Sequence, residues 1–182
     1  MQGHQTSCEQ EEERVNSLEQ ERRNSNLIIT GLQPEDQNME GVLNFITARL
    51  SAETVKSDIY AVFPMRDNKK GLSVTMVKFR DAASRLQVYR RRTQLKGADD
   101  IWLNEDLIKP REALSYHARQ LYRQKKIARN WTYGGEVYVK ISDEDEPHKV
   151  QSLSELRSAA KLPVSYRFES NIKTPEKDSA IS

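Results

Sequence analysis

The order of apolar and polar positions predicts a series of short elements between residues 26 and 107. NLIITGL (26–32) is an apolar run that ends at a glycine and a leucine, and this is typical of a buried strand. Residues 41–50 repeat apolar side chains at helical spacing, with Val42, Ile46 and Leu50 on one face. Further elements are predicted as strands at 57–65 and 73–79, a helix capped by Asp81 at 82–95, and a strand within 99–107.

These elements follow one another in the order βαββαβ. This is the split-βαβ, ferredoxin-like arrangement that the RNA-recognition motif also uses. The span of roughly 80 residues suits a single domain of that kind. We therefore predict an α+β protein with an RNA-recognition-like domain over residues 26–108.

A second, small α/β domain is predicted over residues 109–168. Its first part, 109–130, has Pro110 near a helix start and an apolar stripe at helical spacing. Residues 131–141 read as a hairpin whose turn is a Gly-Gly pair. An acidic loop at 142–149 and a short helix at 150–160 complete the predicted domain.

The two ends of the chain lack the pattern of a core. Residues 1–25 form a charged segment rich in helix formers, in which Val15 and Leu18 are spaced like heptad positions. Two apolar positions leave two interpretations open, a solvated charged helix and a coiled-coil remnant that supports self-association. Residues 169–182 are polar and predict a disordered tail.

Charge is segregated along the chain, although the net charge is only +2. Basic residues dominate 84–96 and 109–140, whereas the first 26 residues are mostly acidic. The single cysteine, Cys8, cannot form an intramolecular disulfide or supply zinc-site spacing. No apolar run predicts a membrane span or a signal peptide, so we expect a cytoplasmic or nuclear protein with no membrane partner.

Several motifs together resemble one known group of proteins. These are NLIITGL, the Val-Lys-Phe end of the strand at 73–79, IWLNEDL (101–107), and GGEVYVK (134–140) before an acidic loop. Over residues 10–160 the chain resembles the RNA-binding proteins of the first open reading frame of LINE-type non-LTR retrotransposons, and equally the related baculovirus few polyhedra proteins. The resemblance implies a coiled coil, an RNA-recognition-like domain and a small C-terminal domain, the last two clamping single-stranded nucleic acid between basic surfaces.

The chain departs from an ordinary RNA-recognition motif on its sheet. Ile28, Val74 and Met76 stand where that motif has the aromatic side chains that stack on bases. We therefore expect the sheet not to read bases by stacking and the cations to provide the affinity. Closure of the two domains on the strand would then use the connection at 107–110 as a hinge.

Three groups of residues are candidates for nucleic-acid binding. The loop between the second and third strands is basic, and a stripe in the helix 109–130 repeats cations three or four residues apart with no acid beside them. The hairpin adds an aromatic residue next to the glycine turn and one lysine. The candidates are Arg66, Lys69 and Lys70 in the loop, Arg119, Arg123, Lys126 and Arg129 in the stripe, and Tyr133 and Lys140 in the hairpin.

The sequence gives little support for catalysis. His4, His117 and His148 are far apart and lack metal-ligand spacing, and no glycine-rich phosphate loop occurs. We therefore expect no enzyme activity, cofactor, metal or small-molecule substrate. The predicted function is sequence-nonspecific binding of single-stranded RNA or DNA, and the alternative is a protein-interaction adaptor on the same fold. The sequence leaves open a viral, transposon or host origin.

Overall fold

The computed structural model describes residues 3–97 and 100–169, and of residues 3–6 only the backbone. The predicted disordered tail lies outside the described residues from residue 170 onward. The α+β class and the N-terminal helix are confirmed, because the described residues form five α-helices and two antiparallel sheets. Within them, no helix has an apolar stretch long enough to cross a membrane.

The described elements begin with a long helix, α1 (Gly3–Arg23), that precedes the first strand. The next segment contains β1 (Asn26–Thr30), α2 (Met39–Leu50), β2 (Ile59–Met65), β3 (Val74–Phe79), α3 (Ala82–Tyr89) and β4 (Trp102–Glu105). The last segment contains α4 (Lys109–Arg123), β5 (Arg129–Tyr133), β6 (Glu136–Lys140), β7 (His148–Val150) and α5 (Leu153–Ala159). The helix predicted at 82–95 is α-helical only to Tyr89 and continues as a 3-10 helix to Leu95.

The first sheet has the strand order β2-β3-β1-β4, and all neighbouring strands are antiparallel. Helices α2 and α3 cover one face of it. That face contributes Leu27, Ile29 and Val77 to a core that includes Val42 and Ile46 of α2. Because side chains alternate across a strand, the intervening residues of β1 and β3 face away from these helices.

Gly31 ends β1 at a position that excludes any other residue. Its φ is +96°, in the region that favours glycine, and a Cβ there would lie 1.9 Å from the carbonyl oxygen of Asp100. The chain therefore turns sharply past the residues that precede β4. This close approach fixes the end of the strand that the sequence pattern predicts.

The second sheet has the order β5-β6-β7 and packs on α4 and α5. Its core contains Leu121, Val137, Val139 and Leu156, which are almost fully buried. The hairpin predicted at 131–141 is present as β5 and β6. Strand β7 was predicted as part of the acidic loop and the following helix, and only Val150 of its three residues is buried.

The helix predicted to run to residue 130 ends at Arg123. Lys125 has a φ of +58°, the amide of Lys126 donates to the carbonyl of Leu121, and the amide of Lys125 donates to the carbonyl of Tyr122. These two bonds form a Schellman motif, in which the left-handed position is normally glycine. The buried Ile127 then leads directly into β5.

Helix α1 is attached to the rest of the protein near its C-terminal end. The side chain of Gln20 donates to the carbonyl of Asp106 at 2.9 Å and accepts from the amide of Ile108 at 2.9 Å. Glu13 accepts from the buried guanidinium of Arg111 at 2.6 Å. The connection at 107–110, which the sequence predicts as a hinge, is therefore held by hydrogen bonds to α1.

A buried ion pair joins the first sheet to the hairpin of the second. The Arg85 guanidinium donates to Glu105 at 3.0 Å, and both side chains are only 2% exposed. The carboxylate of Glu105 also accepts from the amides of Gly134 and Gly135, at 2.8 and 3.1 Å. The Nε of Arg85 also donates to the carbonyl of Asn24 at 2.8 Å. The two sheets are thus fixed relative to each other by charge-assisted hydrogen bonds.

Candidate functional site

A cleft of about 470 Å³ separates the uncovered face of the first sheet from α4. Its wall on the sheet is formed by Ile28, Thr30, Val74 and Asn104. Its wall on α4 is formed by Lys109, Glu112, Ser115 and Arg119. The cleft is also lined by Arg23, Glu105, Asp106, Leu107 and Thr132. In the cleft, side chains of the first sheet and of α4 therefore face the same space.

The alternation of buried and exposed positions explains how each wall arises. In β1, Leu27 and Ile29 point into the core, so Ile28 and Thr30 point into the cleft. In α4, the cleft residues recur at intervals of three, three and four, which places them on one helical face. Leu114, Ala118 and Leu121 occupy the opposite, buried face.

The charges of the cleft leave two cations without an acidic partner. Arg23 lies 3.4 Å from Asp106, which also accepts from Asn26 at 2.9 Å. Within residues 3–97 and 100–169, neither Lys109 nor Arg119 makes an ion pair. Three acids also line the cleft, but Glu105 is paired with Arg85 and Asp106 with Arg23, so Glu112 is the acid left to offset part of this charge.

The predicted four-cation stripe is only partly present. Arg119 lines the cleft, and Arg123 follows one turn later on the same exposed helix. Lys126 lies beyond the helix end, with its Nζ 4.4 Å from the centre of the Tyr166 ring. Arg129 lies in β5 and donates to Asp143 at 2.8 Å. The prediction of one helical stripe with no acid beside it is wrong, because the helix stops before two of the four residues.

The two hairpin candidates do not line the cleft. The ammonium of Lys140 donates to the carbonyl of Asp143 at 3.2 Å. The exposed ring of Tyr133 accepts a hydrogen bond at its hydroxyl from Arg90 at 3.0 Å. Both residues therefore make hydrogen bonds within the protein, and neither lines the cleft.

The loop candidates lie at one end of the first sheet. Arg66, Lys69 and Lys70 are exposed in the turn between β2 and β3. Asn68 organises this turn, since its side-chain oxygen accepts from the amides of Lys70 and Leu72, both at 2.9 Å. The loop begins directly after Met65, so its cations flank the uncovered face without lining the cleft.

Three exposed apolar side chains on the uncovered face were not among the predicted site residues. Phe63, Met65 and Trp102 are 40%, 44% and 46% exposed. Cross-strand pairing places Phe63 beside Met76, Met65 beside Val74, and Trp102 beside Thr30. Counting alternation outward from the core residue Leu103 would have placed Trp102 on this face.

Two arginines in the basic segments are structural. Arg85 is paired with Glu105, and Arg111 is buried between Glu13 and Glu136, with its Nη1 2.5 Å from the carboxylate of Glu136. Their charges are therefore satisfied inside the protein. The excess of basic residues in the sequence overstates the cationic surface that a ligand can reach.

Burial shifts the pKa of two aromatic groups near the second sheet. Burial raises the pKa of Tyr89, whose hydroxyl lies 3.3 Å from the Thr132 side chain at the edge of the cleft. Burial lowers the pKa of His117, whose ring packs against Tyr116 and Phe168. Burial therefore favours the neutral form of both side chains.

Comparison with known proteins adds no assignment to this geometry. No protein-family model matches the sequence, and a search of curated proteins returned no match.

Proposed function

We propose that this protein binds single-stranded RNA or DNA, largely without regard to sequence, in the cleft between the first sheet and α4. The observation that carries the proposal is the pairing of two opposed walls. Lys109 and Arg119, which lack acidic partners in the described residues, face a sheet surface made mainly of uncharged side chains. A ligand that is anionic along one side and flat and apolar along the other fits both walls.

The first sheet with α2 and α3 supports an RNA-recognition-like domain as part of this proposal. The strand order β4-β1-β3-β2 with two helices on one face is compatible with that motif. The resemblance to retrotransposon first-frame proteins and few polyhedra proteins belongs to the same proposal. The resemblance implies a second basic domain that faces the sheet, and α4 lies across the cleft from the sheet.

The affinity would come first from phosphate contacts. Cations that neutralise phosphates release condensed counterions, and the logarithm of the binding constant falls with the logarithm of salt concentration. For single strands the slope is roughly −0.7 per neutralised phosphate. Arg123 and the loop residues Arg66, Lys69 and Lys70 would extend the phosphate path beyond the cleft.

The test is fluorescence anisotropy of a labelled single strand of about 20 nucleotides, RNA and DNA, across a salt series. The double variant Lys109→Ala with Arg119→Ala should weaken binding and make the slope shallower by about 1.4. The matched control removes Arg49 and Arg91, two exposed cations outside the cleft, and should leave the slope nearly unchanged.

A slope that is equal in both double variants would show that α4 does not contact the phosphates. Absence of binding by the parent protein at low salt would reject nucleic-acid binding altogether. It would favour the protein-interaction adaptor, for which the exposed side chains Phe63, Met65 and Trp102 would form a contact surface.

A further inference from the structure

We propose that Phe63 and Trp102 stack on bases of the bound strand, so that the aromatic platform of this sheet lies on its two edge strands. The inference rests on the proposed binding of single-stranded nucleic acid. It specifies that the sheet contacts the bases of that ligand. It also reverses the expectation that the aliphatic residues Ile28, Val74 and Met76 leave the sheet unable to stack.

The pairing register places both rings on the same face. One row across the sheet runs Phe63, Met76, Ile28 and Asn104, and the next runs Met65, Val74, Thr30 and Trp102. Residues directly opposite one another on neighbouring strands share a face of the sheet. Since Ile28, Thr30 and Val74 line the cleft, the two rings flank it from opposite edges.

The distance between the rings suits two bases of one strand. Neighbouring strands are about 4.8 Å apart, so the backbones of β2 and β4 are separated by about 14 Å across the sheet. The shift of one row adds about 7 Å along the strands. A single strand that crosses the sheet obliquely could therefore place one base on each ring while its intermediate bases pass over Ile28 and Met76.

Phe63, Met65 and Trp102 are exposed together on one face of the sheet, although other aromatic side chains, such as Tyr60 and Tyr122, are exposed as well. Single exposed apolar residues are normal on a protein surface, but here two aromatic rings and Met65 share one sheet face beside a cleft. The residues between them are more buried, as Met76 is 7% exposed. The centre of this face is therefore less exposed than its aromatic edges.

The charges around this face distinguish nucleic acid from an apolar protein partner. Lys78 lies on the same face, with its Nζ 5.8 Å from the centre of the Phe63 ring. Arg66 directly follows Met65, and Arg119 lies across the cleft. Alternating cations and rings match a polymer whose phosphates and bases alternate, whereas an apolar peptide would gain nothing from the cations.

The first experiment compares binding of an ordinary single strand with binding of an abasic strand of the same length and charge. Phe63→Ala and Trp102→Ala should each weaken binding of the ordinary strand by roughly 5- to 100-fold and leave the salt slope unchanged. Neither change should affect the abasic strand. Tyr122→Ala is the matched control, because Tyr122 is an exposed aromatic of α4 outside the cleft, and it should bind like the parent.

The second experiment uses the fluorescence of Trp102. The chain has two tryptophans, and Trp131 is stacked on Tyr138 with ring centres 5.7 Å apart. In a Trp131→Phe background, an ordinary single strand should quench the fluorescence of Trp102, and the abasic strand should leave it nearly unchanged. This readout needs no loss of an aromatic residue from the sheet, so it does not depend on the folding of the alanine variants.

The outcomes separate this inference from the proposed function. If both alanine variants bind the ordinary strand within about twofold of the parent while the Lys109/Arg119 variant loses affinity, stacking is rejected and phosphate binding stands. Equal quenching by ordinary and abasic strands would also reject stacking. If the parent binds neither strand at low salt, the proposed function fails and this inference fails with it.

Discussion

Replacing Glu105 with glutamine should destabilise the protein far more than the loss of one surface charge would. The carboxylate of Glu105 accepts three hydrogen bonds, from Arg85, Gly134 and Gly135. A glutamine of the same shape keeps one acceptor oxygen and replaces the other with an NH2 group. That NH2 group would face the amide N–H of Gly134 or Gly135, which needs an acceptor. The buried guanidinium of Arg85 also loses its counter-charge.

The expected magnitude follows from the burial of the pair. Removing one partner of a buried ion pair typically costs about 3–5 kcal/mol, because the remaining charge stays buried without compensation. For a chain of this size that loss lowers the melting temperature by about 6–20 °C. The control is Asp143→Asn, which breaks the pair of Asp143 with Arg129, whose side chains are 69% and 65% exposed. That change should cost at most about 1 kcal/mol.

The assay is equilibrium urea unfolding followed by circular dichroism, completed as a double-mutant cycle. Arg85→Met alone and Arg85→Met with Glu105→Gln provide the other two corners. The double variant should recover part of the stability that Glu105→Gln loses, since it no longer buries an unpaired charge. A loss below 1 kcal/mol for Glu105→Gln, equal to that of the Asp143 control, would refute the reasoning that this pair fixes the two sheets together.

Two further predictions concern the hairpin turn and the buried histidine. Gly134 and Gly135 both have a positive φ, but only a Cβ at Gly135 would meet the side chain of Gln20, at 2.4 Å. In the same unfolding assay, Gly135→Ala should therefore lower the free energy of unfolding by about 1–3 kcal/mol more than Gly134→Ala does. Equal losses would show that the approach of α1 to the turn is not tight. Burial lowers the pKa of His117 from 6.5, so the unfolded chain binds this proton more readily than the folded one. The contribution of His117 to the free energy of unfolding should therefore be constant above pH 6.5 and fall as the pH decreases below it. The free energy should fall more steeply in the parent than in His117→Gln. Parallel curves of free energy against pH for the two proteins would contradict this.

The sequence pattern predicted the first sheet well because each strand has a clear signal in its own residues. The apolar run of β1 ends at Gly31, β2 ends near Pro64, and α3 begins at a capping Asp81 that accepts from the amide of Ser84 at 2.7 Å. These signals are local, and the tertiary structure does not override them. The β1-α2-β2-β3-α3-β4 order therefore agrees with the prediction.

The end of α4 could not be predicted because its signal is tertiary. Lysine is a good helix former, and nothing at Lys125 marks a left-handed residue that ends a helix. The helix stops there because Ile127 is needed in the core and β5 must start at Arg129 to pair with β6. The stripe of four cations depended on that helix continuing, so it failed with the boundary.

The roles of the arginines were equally hidden from the sequence. Arg85, Arg111 and Arg119 lie in segments that look alike in charge, yet the first two are buried in ion pairs and the third lines the cleft. Glu13 is 98 residues from its partner Arg111, and Glu105 is 30 residues from Gly135, from whose amide it accepts a hydrogen bond. Charge counting cannot separate such pairs from a binding surface, because the distinction depends on which carboxylates the fold brings near.

This division of arginines has a consequence for binding. In the proposed complex, the two cleft cations that lack acidic partners among the described residues would make few phosphate contacts, so little of the binding energy could be lost to ordering the protein. The buried pairs of Arg85 and Arg111 hold α4, the hairpin and the sheet in place before any ligand arrives. The entropy cost of the proposed binding would then fall mainly on the nucleic-acid strand. In the proposed complex, these bonds would hold the small number of cations and the two exposed rings at fixed positions.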